Sequence, residues 1–164
     1  MTTKRDGDYP RLVPIGVAHT PFSGPRDVEE PEEAEGRLEI YSRYEKGLKD
    51  VEGFSHLFVI WLFHRSEGCE LTCCPTRRSI PPPRGLFATR SPYRVNPLAL
   101  TVVTLLDRDG RFLHVRGVDM ADGTPLLDIK PYTDRDRKEG IRCGWLETAG
   151  LRARRDSEPL EEGG

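Results

Sequence analysis

The amino-acid sequence predicts an all-β protein, mainly antiparallel, that closes into a small barrel with irregular loops and little helix. Three observations carry that prediction. The chain of 164 residues is punctuated by 16 glycines and 14 prolines, well above the usual share of these two residues. The longest stretch free of both, residues 54–67, is only fourteen residues long, which leaves little room for long helices. The apolar residues gather into about seven short runs bounded by turn signals, the pattern of small barrels and sandwiches. The length favours one domain, large enough to bury roughly 70% of the surface its unfolded chain exposes. The expected organisation is a flexible N-terminus over 1–11, a barrel domain over 12–150 and a flexible charged tail over 151–164.

Residues 12–18 (Leu-Val-Pro-Ile-Gly-Val-Ala) read as a first strand, with Pro14 placing it at an edge or bulge. Residues 25–36 form an acidic loop, and 37–41 (Arg-Leu-Glu-Ile-Tyr) alternate like a half-buried strand. A helical turn is expected within 44–51. Residues 54–64 are rich in β-branched and aromatic side chains without helical periodicity, which predicts a strand buried on both faces. Residues 68–84 form a long irregular segment that ends in three prolines, 81–83, a polyproline II signal. Residues 98–106 and 112–116 flank a connection containing Asp109-Gly110, a good hairpin signal. Residues 126–130 give another strand, and 143–148 a further one.

The 25 basic and 27 acidic side chains nearly balance, which excludes a dominantly basic nucleic-acid-coating protein but not a local basic patch. The first eleven residues are polar and no apolar signal region follows. The longest apolar run, 57–63, is far short of the ~20 residues a membrane helix needs. The expectation is a soluble, cytoplasmic chain without a membrane partner. Four cysteines at 69, 73, 74 and 143 do not read as a disulfide framework in that setting. Cys-x3-Cys-Cys near His64 could hold a soft metal, but no second Cys-x-x-Cys closes a zinc site; a structural or incidental role is expected, and no metal.

Arg77, Arg78, Arg84, Arg90 and Arg94 lie within eighteen residues that contain no carboxylate, with Phe87 and Tyr93 interleaved. Such a segment suits phosphate contact and base stacking on unpaired RNA; a solvated basic face pairing with the acidic loop explains it equally well. Residues 84–97 are dense in constrained backbone and could hold Arg90 and Asn96 in one geometry. Asp119 and Asp122 stand three apart beside Gly123 and Thr124. An ordinary turn accounts for that block, and the sharper reading is a carboxylate accepting hydrogen bonds from a ligand. The common nucleotide, zincin and hydrolase motifs are absent.

Four blocks then carry a resemblance. They are Ile15-Gly16-Val17-Ala18-His19-Thr20-Pro21-Phe22, Gly53-Phe54-Ser55-His56-Leu57, the 85–92 segment with Asn96-Pro97, and Asp122-Gly123-Thr124-Pro125 running on through Asp128-Ile129-Lys130-Pro131-Tyr132. In this order, over roughly residues 12–147, the chain resembles the S-adenosylmethionine-dependent family that includes the tRNA (adenine-37-N6)-methyltransferases. The resemblance implies a small antiparallel barrel rather than a Rossmann fold, acting as a homodimer with S-adenosyl-L-methionine near the subunit interface. It implies methyl transfer to N6 of threonylcarbamoyladenosine at position 37, in the tRNA anticodon loop. By motif, the cofactor contacts fall at Val28, Glu29 and Glu30, at His64 and Arg65, at Arg90 and Leu100, and at Asp119, Met120, Asp122, Gly123 and Thr124. Arg77, Arg78, Arg84, Tyr93, Arg94 and Asn96, with Lys130 and Tyr132 of the fourth block, are the residues expected to face RNA. Fuller-length relatives carry a further C-terminal domain, and relatives often read Arg-Pro-Asn-Pro-Ile-Gly where this chain has Arg94-Val95-Asn96-Pro97-Leu98-Ala99. The N–H of a carbamoylated adenine must lose a proton during transfer, and Asp122 and His64 are the candidate acceptors. Two alternatives stay open: transfer to a different acceptor, and a non-catalytic module that binds the cofactor or RNA. A homodimer is also expected from an exposed apolar strand edge.

Overall fold

Six strands pair side by side until the last meets the first. The computed structural model describes residues 11–24, 27, 28, 30–74 and 82–149. The strands are β1 (Gly16–His19), β2 (Glu35–Ile40), β3 (His56–Leu62), β6 (Leu98–Asp109), β7 (Phe112–Arg116) and β8 (Thr124–Pro131). They close in the order β1-β2-β7-β6-β3-β8, every pairing antiparallel. A separate two-stranded ribbon joins β4 (Thr72–Cys73) to β5 (Arg84–Gly85) inside the long segment expected to be irregular. Residues 1–10 and the tail from 150, which carry the flexible-terminus expectations, lie outside the described residues, as does Pro81, the first of the three prolines 81–83.

The barrel is small enough for its own side chains to fill the lumen. Leu38 and Ile40 of β2, Leu57, Val59 and Trp61 of β3, Val103 of β6, Leu113 and Val115 of β7, and Leu126 of β8 alternate inward and are buried. Strand β3 keeps this alternation, so the expectation that it is buried on both faces is corrected. Its outward residues Phe58, Ile60 and Leu62 are only half-buried, and Phe58 is covered by the Tyr132 ring at 5.2 Å. The first strand also begins later than expected, leaving Pro14 ahead of it.

Strand β6 is twelve residues long because it serves two partners, pairing β3 through 98–104 and β7 through 104–109. A bulge between Leu105 and Asp107 turns it from one to the other and leaves Leu106 exposed; bulges add the local twist that closure needs. A second irregularity lies between β3 and β8, where Ile60 faces Asp128 but Trp61 faces Leu126. Pro125 stands beside it, near the start of β8, one of the few places where a strand tolerates a residue without an N–H. The β6–β7 hairpin turns at Gly110 with φ +55. Closure also overturns the apolar strand edge expected to drive association, since each barrel strand has a partner on both sides.

The chain forms two units, Met1–Asp134 and Arg135–Gly164. In the second, residues expected to form a strand instead make a short helix, α1 (Trp145–Thr148). The Glu147 carboxylate turns back to accept the Cys143 N–H at 2.7 Å, a local bond that a strand over 143–148 could not make.

Gly16 lets β1 approach β2: a Cβ there would stand 2.2 Å from the Glu39 carbonyl oxygen. Gly16→Ala is expected to cost about 1–3 kcal/mol and lower Tm by roughly 3–9 °C in a thermal melt followed by circular dichroism. Gly53→Ala, where nothing lies within 4 Å of the new Cβ, is expected to leave Tm unchanged.

Candidate functional site

The antiparallel order brings the end of β3, the start of β6 and the start of β8 to one rim of the barrel. Two adjoining hollows open there. The larger, of about 380 Å³, is lined by Trp61, Phe63, Thr89, Arg90, Arg94, Leu98, Ala99, Leu100 and Asp119. The smaller, of about 160 Å³, runs from Trp61 and Phe63 past His64, Arg65 and Pro92 to Asp119, Met120 and Thr124. Trp61, Phe63 and Asp119 belong to both. The larger is within the size range of small-molecule sites.

The shared wall is tied together by hydrogen bonds. The Trp61 indole Nε1 donates to Thr101 Oγ1 at 2.9 Å, and that hydroxyl donates to Asp119 Oδ1 at 2.5 Å. Trp61 faces Ala99 in the β3–β6 ladder, so Thr101, two residues on, is its diagonal neighbour on the same face. The Phe63 ring packs edge-on against Trp61 at 4.7 Å. Asp119 keeps an exposed side, yet its carboxyl leans into the wall. Desolvation pushes its pKa up, against the opposing pull of the Thr101 hydroxyl, its own backbone N–H and the Arg90 charge, with Glu32 adding to the rise.

Arg65 braces the rim. It donates to the Ser23 carbonyl at 2.5 Å, the Asp122 carbonyl at 3.2 Å and His64 Nε2 at 3.1 Å, joining the loop after β1 to the loop before β8. The Asp122-Gly123 turn is present as expected: Gly123 has φ +76 and the Thr124 N–H reaches the Ala121 carbonyl at 3.3 Å. The Asp122 carboxylate, however, points away from both hollows. Its Oδ1 accepts the Thr20 N–H at 3.1 Å and stands 3.9 Å from His19 Nδ1, on an outer groove of about 580 Å³ that includes His19, Arg37 and His114. His19 and Arg111 both hold Glu39, at 2.8 and 2.6 Å, and keep its carboxyl below the usual range, the His19 bond foremost.

Of the residues singled out from the sequence, His64, Arg65, Arg90, Arg94, Leu100, Asp119, Met120 and Thr124 line the two hollows. Val28 packs against the barrel core, Glu30 is exposed with φ +45, and Glu29, Arg77 and Arg78 lie outside the described residues. Arg94 donates to the Thr89 carbonyl at 2.9 Å, holding its own loop. Tyr93 and Asn96 are exposed in that loop, and Arg84 is half-buried on β5. Lys130 and Tyr132 sit at the far end of β8, about 20 Å from Thr124 at the rise of an extended strand. Lys130 meets Asp128 at 2.6 Å. The sequence reading missed Trp61 and Thr101; the available signal was a hydroxyl on an inward position of an otherwise apolar strand. The four cysteines are free, and among the described residues no group of three or more His, Cys, Asp and Glu is placed to hold a metal. Among them too, no helix is long and apolar enough to cross a membrane.

A closed antiparallel barrel with a rim cleft walled by aromatic rings and one carboxylate defines a barrel-type domain for a small organic ligand. The chain belongs to the family of the tRNA-methyltransferase O N-terminal domain, whose model matches residues 17–136. It is 45% identical over 139 residues to a Pyrococcus abyssi protein named "Probable S-adenosyl-L-methionine-binding protein", covering 82% of this chain and 74% of that one. It is 35% identical over 130 residues to the tRNA (adenine(37)-N6)-methyltransferase of Escherichia coli, covering 72% of this chain and 55% of the enzyme. The crystal structure of TrmO from Pseudomonas aeruginosa superposes with a TM-score of 0.69 at 30% identity, over 84% of this chain and 62% of that one. The chain thus spans just over half of the bacterial enzyme it matches.

Because the folded protein holds the Asp119 proton above the carboxyl's ordinary 3.8, stability contributed by this group is present at low pH. It falls as pH rises from the unfolded value through the raised folded one. Asp119→Asn removes that loss while keeping an acceptor for Thr101. Its Tm in calorimetry is expected to exceed the parental value at pH 7, with the difference shrinking toward pH 4.

Proposed function

We propose that this protein is an S-adenosyl-L-methionine-dependent methyltransferase that methylates N6 of adenosine 37 in tRNA, with threonylcarbamoyladenosine in the anticodon loop as the acceptor. The observation that carries the reading is the rim cleft, where residues matched to the family's cofactor contacts gather around one carboxylate. The cleft's chemistry fits that cofactor. Trp61 and Phe63 offer aromatic surface to a cation and to a base. When bound, S-adenosyl-L-methionine supplies an electrophilic methyl group.

The protein's own task is then alignment, for which effective molarities reach ~10⁵–10⁸ M, and exclusion of water. Arg65 fixes the two loops that frame the cleft, and the Trp61–Thr101 bond fixes the wall. The relatives named as binding proteins favour one second reading, cofactor binding without transfer. Incorporation of tritiated methyl groups into tRNA from a strain lacking this gene separates the two. Label appearing at N6 of adenosine 37 is the expected outcome, and binding without incorporation favours the second.

The homodimer expectation now rests on a face rather than an edge. Leu100, Val102 and Leu106 project outward from β6, 53%, 43% and 42% exposed, and Leu100 also walls the larger hollow. Covering this stripe with the same stripe of a second copy continues the apolar surface from cleft to interface. Light scattering at micromolar concentration is expected to give about twice 18.6 kDa, and Val102→Asp with Leu106→Asp to return the monomer mass. For the arginine-rich segment, each phosphate contact on a single strand adds about −0.7 to the salt slope. Arg78→Ala is therefore expected to flatten the slope of tRNA binding by about 0.7, read from filter binding across a salt series.

A further inference from the structure

We infer that Asp119 is the proton acceptor for methyl transfer, with Thr101 and Trp61 as the positioning residues that aim it. The inference rests on the methyltransferase reading above and adds the residue that removes the proton.

The two hollows meet at Asp119, so its carboxylate stands where a methyl donor in one and an acceptor nitrogen in the other would approach each other. Among the described side chains lining them, Asp119 and His64 are the ones with a basic atom to accept a proton. His64 Nε2 already takes the Arg65 Nε–H at 3.1 Å, which leaves its Nδ1 carrying the hydrogen in the neutral ring. Asp122 serves the outer groove and the Thr20 N–H.

Asp119 is differently placed. An indole N–H can only donate, so Thr101 accepts from Trp61 and spends its single proton on Asp119 Oδ1. The direction of the chain is thereby fixed: Oδ1 is held as an acceptor, and proton uptake falls to Oδ2. The groups acting on this carboxylate are Arg90 and Glu32, with Thr101 and its own backbone N–H bonded to it; Arg94 and Arg65 complete the charged lining, beside the His64 ring. Burial in the wall raises its basicity, which favours a carboxylate asked to take a proton from a weakly acidic N–H.

The step balances without any further reagent. The N6–H bond breaks and its proton moves to Asp119 Oδ2. The nitrogen's electron pair forms the new N–CH₃ bond, the S–CH₃ bond breaks with its pair remaining on sulfur, and the sulfonium charge disappears. The carboxylic acid then returns its proton to water.

The test compares the parental protein with Asp119→Asn, Thr101→Val and Thr101→Ser. Cofactor affinity is measured by titration calorimetry with S-adenosyl-L-methionine, and single-turnover methylation of tRNA is measured at saturating cofactor from pH 5 to 9. Asp119→Asn is expected to bind cofactor within fivefold of the parent and to methylate at least 100-fold more slowly. Thr101→Val removes a bond that favours the charged carboxylate, so the acidic limb of its rate profile is expected to move to higher pH, with Thr101→Ser restoring the parental profile. Asp119→Asn methylating within threefold of the parent overturns the inference. So does its failure to bind cofactor, which makes the residue a cofactor contact, and so does an acidic limb that Thr101→Val leaves in place. Cofactor binding by the parent with no methylation of any tRNA overturns the methyltransferase reading itself, and that result is visible before any variant is made.

Discussion

Closure of β8 against both β1 and β3 is the constraint from which the rest follows. A six-stranded barrel has a lumen only as wide as the side chains that fill it, so its strands alternate inward and outward where they pass the core, with the bulges set to either side. Where an inward position reaches the rim, it meets the boundary between packed core and solvent. Thr101 and Trp61 occupy such positions, and each satisfies its polar atom on the other. Asp119, arriving on the loop between β7 and β8, completes that satisfaction. The same act of closing the sheet therefore places a hydrogen-bonded carboxylate beside an opening.

Strand β6 links the two proposals about assembly and chemistry. Its inward row, through Thr101 and Val103, belongs to the wall and the core, and its outward row, through Leu100 and Val102, is exposed. Because successive residues of a strand face opposite sides, a single segment of backbone fixes the distance between the cleft and the outer stripe. A partner seated on that stripe would stand one sheet thickness from Asp119.

Much of the barrel was legible because glycine and proline mark its strand ends and alternation marks its inward faces. Closure itself was anticipated from the run of short strands; the strand order that achieves it was not legible. It depends on pairings such as Val17 with Pro125, more than a hundred residues apart, which leave no local pattern in either segment. The apolar outward residues of β3 misled for a related reason: Phe58 is covered by Tyr132 from the neighbouring strand end, so it is apolar without being core. Helix α1 was misread because four residues carry too little periodicity to distinguish it from a strand. Within the site, the family resemblance pointed to Asp119 and Arg65, whereas the partners that define their roles come from other strands and loops. Asp122 shows the limit most clearly. Its place in the turn followed from Gly123, but which way its carboxylate points depends on the Thr20 N–H, a hundred residues earlier.

The Arg65 brace has a thermodynamic consequence. A planar guanidinium that bridges two loop carbonyls and an imidazole ring orders the frame of the cleft when the chain folds, so the entropy of fixing those loops is not charged to the ligand on arrival. Association with such a rim should bury apolar surface with little coupled ordering, giving a modest negative heat-capacity change and none of the large opposing enthalpy and entropy of folding on binding. Lysine, a point charge without the planar fork, cannot span the same acceptors, and in its place the loops would be ordered by the ligand, at the expense of affinity.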